Sequence, residues 1–588
     1  MKIARRPLFF GPIGQSQFGW YHAPADDSLL DVVVVICPPL GHEYVNSHRV
    51  VRHLADRFAA AGIPALRFDY HGTGDSSGGD EDPGRVGAWL TSVRQAMETA
   101  RTISGRDRLA LVGLRLGATL AAAVAADDDV DSFVAWAPCV RGRAFMREMK
   151  ALHLTGGNRH ESADAHIEPG GFVITAETQR DVGCLDVEAA PPRAHRTLIV
   201  DRDDMPADTR LADRWASAGI PTEHLRFPGY AQMFEAPHNT VVPHEAIDAI
   251  VGWIRVDASP RPATASAPKP VFPVRHSQTV DDDVVERLLE RHDGGPAFGI
   301  VSEPTSGGYR TPTVLLPNAG STHHVGPNRL YVLMARHLAR AGFRCVRFDL
   351  PGLGDSVGGD EAAENDPYPP HATASVGRLI ESLRAVRAHE TYVIAGLCSG
   401  AHTAFHAALD LRAEPIVEAV LLNPLTFYYE RGMPLDQSAT NHYHEWQRYM
   451  RSMRSIRGWA KLFREDIHLA DIGRTIGQRF RDILVKRVRS LRRVFASNER
   501  AAGAGDDLEA DVTSIAQAGR RLTFIFSRFD PGYDLLMINA RRAVKRLRKR
   551  GMLALWIVDD ANHTFEASRS RAEMIESVER HLVARYRA

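Results

Sequence analysis

The residue best placed to do chemistry is Cys398. It lies at the centre of Gly396-Leu-Cys-Ser-Gly400, directly after the apolar run TYVIAG and before the helix-like AHTAFHAALDL. A G-x-nucleophile-x-G sequence between a buried strand and a helix makes a tight, strained turn. Side chains on its flanks would clash, so glycines are needed there, and the central side chain points out into a site. A thiol in that position attacks acyl groups once a base takes its proton. The competing reading makes Cys398 a small, inert core residue, as free cysteines usually are; the strand-turn-helix setting favours the nucleophile. Ser399 stands one place past the centre, where its backbone N–H, and not its hydroxyl, would serve an oxyanion.

The elements that must hold this turn occur twice. The segment AGIPALRFDYHGTGDSSGGDE from Ala61 aligns without a gap on AGFRCVRFDLPGLGDSVGGDE from Ala341, placing Asp69 on Asp349, Asp75 on Asp355 and Asp80 on Asp360. In each copy short Val/Ile/Leu-rich runs, such as VVVVI at Val32 and TVLL at Thr313, alternate with longer amphipathic stretches. That alternation predicts an α/β fold of βαβ units on a mostly parallel sheet flanked by helices. VDASPRPATASAPKP, residues 256–270, is rich in Pro, Ala and Ser and reads as the linker between a first domain, 1–255, and a second, 271–588.

RFDLPGLGDS followed by GLCSG resembles the α/β-hydrolase superfamily, near its serine aminopeptidase and monoacylglycerol lipase-like branch, and the resemblance covers most of both halves. The expected architecture is therefore two tandem α/β-hydrolase domains. Cysteine in place of serine is a departure that is similar to dienelactone hydrolases and polyhydroxyalkanoate synthases. The resemblance implies the chain order nucleophile, acid, histidine. RLTFIFSRFDPGYD then presents Asp530 as the acid, and LALWIVDDANHTF presents His563 as the base, with Asp534 and Asp559 as weaker rivals for the acid. The bland alternatives are a turn carboxylate before Pro531 and a solvated loop histidine. The loop PNAGSTHHVGPNR offers the amide of Ala319 or Gly320 as the oxyanion partner of the Ser399 amide, and its His323 and His324 either line the pocket or are merely solvated. Asp349 and Asp355 recur in both copies and read as turn carboxylates that cap backbone amides, outside the site.

The first copy has GLRLG where the second has GLCSG, so Arg115 replaces Cys398; GYAQMF puts Gln232 over His563, and TLIVDRDD keeps Asp204 over Asp530. Arginine stays protonated and cannot be an acyl nucleophile. The first copy is expected to be an inactive domain, structural or substrate-gating. GLRLG at this turn resembles a branch of hydrolase-like proteins linked to exopolysaccharide or exosortase loci. In the alternative reading Arg115 binds a carboxylate or phosphate, with Asp204 restraining it.

The stretch between nucleophile and acid is longer in the second copy, which predicts a helical cap at about residues 427–515. Apolar residues recur there at helical spacing, and the opposite face is basic, with Arg489, Arg492 and Arg493 among its charges. It reads as a lid with a solvated face, as a dock for an acidic acyl-carrier protein, or as a surface resting on anionic membrane. The whole chain is 44% hydrophobic and 24% charged with net charge near zero, which excludes a disordered chain and a broadly nucleic-acid-binding one. Its five cysteines lack metal-type or disulfide-framework spacing, and no signal peptide or apolar span is legible, so a soluble cytoplasmic protein without metal or cofactor is expected. The function these features predict is acyl transfer from a small ester or thioester, including CoA- or carrier-bound thioesters, through acyl-Cys398, by a thioesterase, esterase or acyltransferase. The alternative is an inactive binding or scaffolding subunit of a biosynthetic assembly.

Overall fold

The computed structural model describes residues 3–24, 30–155, 166–259, 274–289, 298–356, 364–430 and 507–586. The linker expected at 256–270 and the cap expected at about 427–515 lie mostly outside them, including Arg489, Arg492 and Arg493.

The first sheet is built from β1 (Ile3–Phe10), β2 (Gln17–Pro24), β3 (Val32–Cys37), β4 (Ala65–Phe68), β5 (Arg108–Leu114), β6 (Val130–Trp136), β7 (Ala194–Asp201) and β8 (Thr222–Arg226), in the order β1-β2-β4-β3-β5-β6-β7-β8. The second contains β9 (Ser277–Val280), β10 (Val284–Leu288), β11 (Phe298–Pro304), β12 (Arg310–Leu316), β13 (Phe343–Asp349), β14 (Tyr392–Leu397), β15 (Ile416–Leu422), β16 (Arg521–Ser527) and β17 (Leu553–Val558). Its order is β17-β16-β15-β14-β12-β13-β11-β10-β9. From β4 to β8, and from β13 to β17, neighbouring strands are parallel, with antiparallel strands added at one edge. The α/β class and the doubled, mostly parallel architecture are as the sequence predicts.

The central strands are apolar throughout because helices cover both faces. Along β3, Val33 and Val35 pack with Trp89 and Val93 on one face, while Val34 and Ile36 pack with Val50, Leu54 and Phe58 on the other. Along β12, Leu315 meets Val376, Ile380 and Phe405, and Val314 and Leu316 meet Met334, Leu338 and Val578. Among the described residues no helix is long and apolar enough to cross a membrane.

The two copies interlock through the repeated loops. Asp69 accepts the Asp75 amide, and Asp349 accepts the Asp355 amide, at 2.9 Å in each copy, which is the turn role expected of Asp349. Asp355 does something else. It pairs with Arg67 of the first copy, and Asp75 pairs with Arg347 of the second, so equivalent residues form two reciprocal ion pairs. His324 bridges Asp75 (Nε2, 2.6 Å) and Asp349 (Nδ1, 2.8 Å). Burial opposes its charge, but the two carboxylates outweigh burial and hold its pKa at about 10. His323 stacks on His48 of the first copy with ring centroids 4.0 Å apart. Neither His323 nor His324 is solvated, and neither lines the cavity in front of Cys398; both are buried in the seam between the copies. His324, Asp349 and Asp355 lie close enough to hold a cation, yet Arg67 already pairs with Asp355 and His324 with Asp349.

Candidate active site

Cys398 follows β14 with φ 57° and ψ −114°, and the helix Ser399–Asp410 starts at the next residue. The glycines on either side are sterically required. A side chain at Gly396 would run into the backbone of Gly400, and one at Gly400 would come within 2.7 Å of the Asn318 carbonyl. Backbone strain of this kind persists only where the surroundings impose it, and here it aims the thiol out of the sheet.

Asp530 caps the helix Pro531–Asn539 by accepting the Gly532 amide at 2.9 Å, and its other oxygen lies 2.7 Å from His563 Nδ1. The rivals are elsewhere: Asp534 is exposed, and Asp559 pairs with Arg528 at the surface. His563 Nε2 is buried and faces the Cys398 thiol. Burial disfavours the imidazolium, but the neighbouring Cys398 and the hydrogen bond to Asp530 outweigh it and raise the pKa to about 10.

Two supporting residues were missed in the sequence. Asn423, just after β15, donates to the His563 carbonyl at 2.8 Å and accepts the Ser527 amide at 2.7 Å, tying the histidine loop to the end of β16. Tyr368 has its hydroxyl beside Cys398, and burial followed by that thiol raises its pKa. Asn423 had no legible signal; Tyr368 lies in a Pro-rich loop without a motif.

Ala319 and Gly320 both border the cavity near Cys398. The Gly320 amide donates to the Ser399 hydroxyl at 2.8 Å, so Ser399 Oγ is turned toward the oxyanion loop. A substrate oxygen reaching Gly320 N–H must displace this hydroxyl or accept its proton.

In the first copy Arg115 keeps the strained turn, φ 55° and ψ −124°. Its guanidinium is buried and satisfied by Glu43 at 2.7 Å and Glu148 at 2.8 Å. Asp204 does not restrain it but pairs with Arg202 through two 2.8 Å bonds, and Gln232 is exposed. The reading of Arg115 as an anion-binding group is therefore corrected: the chain's own carboxylates occupy it. The carboxylate reaching the loop where a histidine would stand is that of Asp203, which accepts the Gly229 and Tyr230 amides at 3.0 Å each.

Cys398 and His563 open onto a cavity of about 380 Å³, within the range of small-molecule sites. Tyr368, Leu397, Leu425 and Pro327 of the second copy line it, together with side chains of the first.

Residues 314–576 match the alpha/beta hydrolase family profile, and residues 31–165 match that of serine aminopeptidase, S33. No curated protein matches the chain. Among solved structures, similarity extends to Est1E from Butyrivibrio proteoclasticus, at 15% identity over 42% of this chain and 98% of that one, with a TM-score of 0.33. XC6422 from Xanthomonas campestris, an a/b serine hydrolase without lid, matches at 19% identity over 44% of this chain and 93% of its own, with a TM-score of 0.27. Proline iminopeptidase of Mycobacterium smegmatis matches at 13% identity over 43% and 98%, with a TM-score of 0.29. A hydrolase family profile thus matches part of each half, and both halves have the mostly parallel, helix-flanked sheet of the tandem α/β-hydrolase architecture.

Proposed function

We propose that the second copy transfers acyl groups from esters or thioesters through an acyl-Cys398 intermediate, and that the first copy has no catalytic turnover of its own. The observation that carries this reading is the 2.7 Å His563–Asp530 pair behind a thiol on a strained turn. His563 Nε2 takes the thiol proton as Sγ bonds to the acyl carbon, and the carbonyl electron pair moves to oxygen. The Ser399 amide and an amide of the Ala319–Gly320 loop hold that oxyanion. The imidazolium then gives its proton to the departing alkoxide or thiolate as the C–O or C–S bond breaks. Water or another acceptor, deprotonated by His563, cleaves the acyl-sulfur bond and restores the thiol. Asp530 fixes the imidazole tautomer throughout.

Thiol nucleophiles suit thioester exchange, which favours CoA- or carrier-bound substrates, and a free catalytic thiol suits a reducing cytoplasm. The test is turnover of short and long acyl-thioesters and an activated aryl ester by wild type and Cys398→Ala. Loss of turnover in the variant is expected; equal turnover by both would remove Cys398 from the mechanism.

A further inference from the structure

The cavity before Cys398 is not built by the active copy alone. His42, Val45, Phe172, Ala236, Pro237 and His238 of the first copy form its far wall. They come from three places: the start of the helix His42–Ala60, the turn at 236–238, and the connection between β6 and β7. That last connection is the first copy's counterpart of the segment that precedes the acid in the second copy.

This connection is latched onto the active copy beside its histidine loop. The Glu168 carboxylate accepts the Ser568 amide at 2.9 Å and the Ser568 hydroxyl at 2.7 Å, at the start of the helix Ser568–Arg585 that follows His563. Arg571 donates to the Gly171 carbonyl at 2.9 Å. Any side chain at Gly171 would come within 2.6 Å of the Asn328 side chain, so the loop passes close against the second copy. Phe172 follows directly and is carried into the cavity wall.

The chemistry of this wall is apolar, with imidazoles as its titratable groups. Burial depresses the pKa of both His42 and His238. An aliphatic chain in the cavity meets Phe172, Val45, Ala236 and Pro237.

We infer that the first copy is the acyl-selecting wall of the second: its latched loop at 168–172 and its turn at 236–238 form a subsite for an aliphatic acyl chain attached to Cys398. This rests on Cys398 as the acylated residue, but its test does not require turnover. N-alkylmaleimides label a thiol whether or not an ester is processed. The rates at which N-methyl- and N-hexylmaleimide label Cys398, resolved by peptide mass because Cys184 is also exposed, report the length preference of the subsite.

One methylene in an apolar pocket is worth about tenfold or more in discrimination. Phe172→Ala should therefore raise the hexyl-to-methyl rate ratio about tenfold, and Phe172→Trp should lower it. Ala236→Phe, on a separate turn, should also lower it and serves if the Phe172 variants do not fold. Ratios unchanged from wild type in the folded variants would overturn the subsite. A wild-type enzyme that is labelled with these length effects but never acylated by any ester or thioester would leave the subsite standing and remove the proposed function. One that is acylated with an unaltered length profile in all variants would do the reverse.

Discussion

The seam between the copies makes a demanding prediction at Asp75. Its carboxylate is 1% exposed and accepts from His324 at 2.6 Å and from Arg347, both of the other copy. In Asp75→Asn the shape is kept and the charge removed. Each charge-assisted hydrogen bond is worth roughly 1.5–3 kcal/mol net. The two bonds are not lost outright, since Arg347 retains Glu286 at 2.7 Å and His324 retains Asp349 at 2.8 Å. The expected destabilisation is then about 3–5 kcal/mol, as for other broken buried pairs. At about 2–4 °C per kcal/mol for a domain of this size, the first thermal transition should fall by roughly 6–20 °C. Calorimetry of Asp75→Asn, Arg347→Met and the double variant supplies the check. The double variant should cost at least ~1 kcal/mol less than the sum of the singles, because the two side chains share one interaction. A shift below about 0.5 kcal/mol, the size seen for exposed pairs, or strict additivity, would refute the reciprocal-pair reasoning.

Three further outcomes follow from the same structure. Asp530→Asn should still accept the Gly532 amide and keep the fold, while kcat/KM falls by about 10²–10⁴ because the imidazole loses its orienting charge; steady-state kinetics with an aryl ester checks this. Arg115→Cys in a Cys398→Ala background should gain no acyl adduct by peptide mass, since Gln232 is exposed and Asp204 is held by Arg202. The pH dependence has two sides. His324 is held at about 10, above the ordinary ~6.5 of an unfolded histidine, so the stability it contributes is complete below ~6.5 and is lost as pH rises through about 10. Glu286, buried against Arg336 and Arg347, is held at about 2, so its contribution is present above the unfolded value of ~4.3 and is lost as pH falls toward 2. Urea unfolding between pH 2 and pH 10 should therefore weaken at both ends.

Local patterns in the sequence were legible because their physical causes are local. GLCSG announced its turn through the two glycines that steric contact demands, and the runs before Asp530 and His563 announced strand ends that bring these residues together. The doubled RFD…GDS segment announced two sheets but not their mutual placement. Asp349 and Asp355 looked alike as turn carboxylates; only a contact between the copies distinguishes Asp355, which reaches Arg67, from Asp349, whose partners Asn318, His324 and Asp355 lie in its own copy. His324 was illegible for the same reason, since its partners Asp75 and Asp349 come from both copies. The role of Arg115 depended on Glu43 and Glu148, neither of which stands in any motif. Phe172 enters the cavity wall from a stretch with no strand or helix pattern, positioned by a latch whose other half lies in the C-terminal helix.

The claim that joins these observations is that Cys398 carries the acyl group. Incubation with short and long acyl-thioesters, followed by intact mass and peptide mapping of wild type and Cys398→Ala, tests it most directly. One acyl mass per chain is expected, on Cys398, absent from the variant. An adduct of the same mass on the variant, or no adduct and no turnover with any ester or thioester, would contradict it.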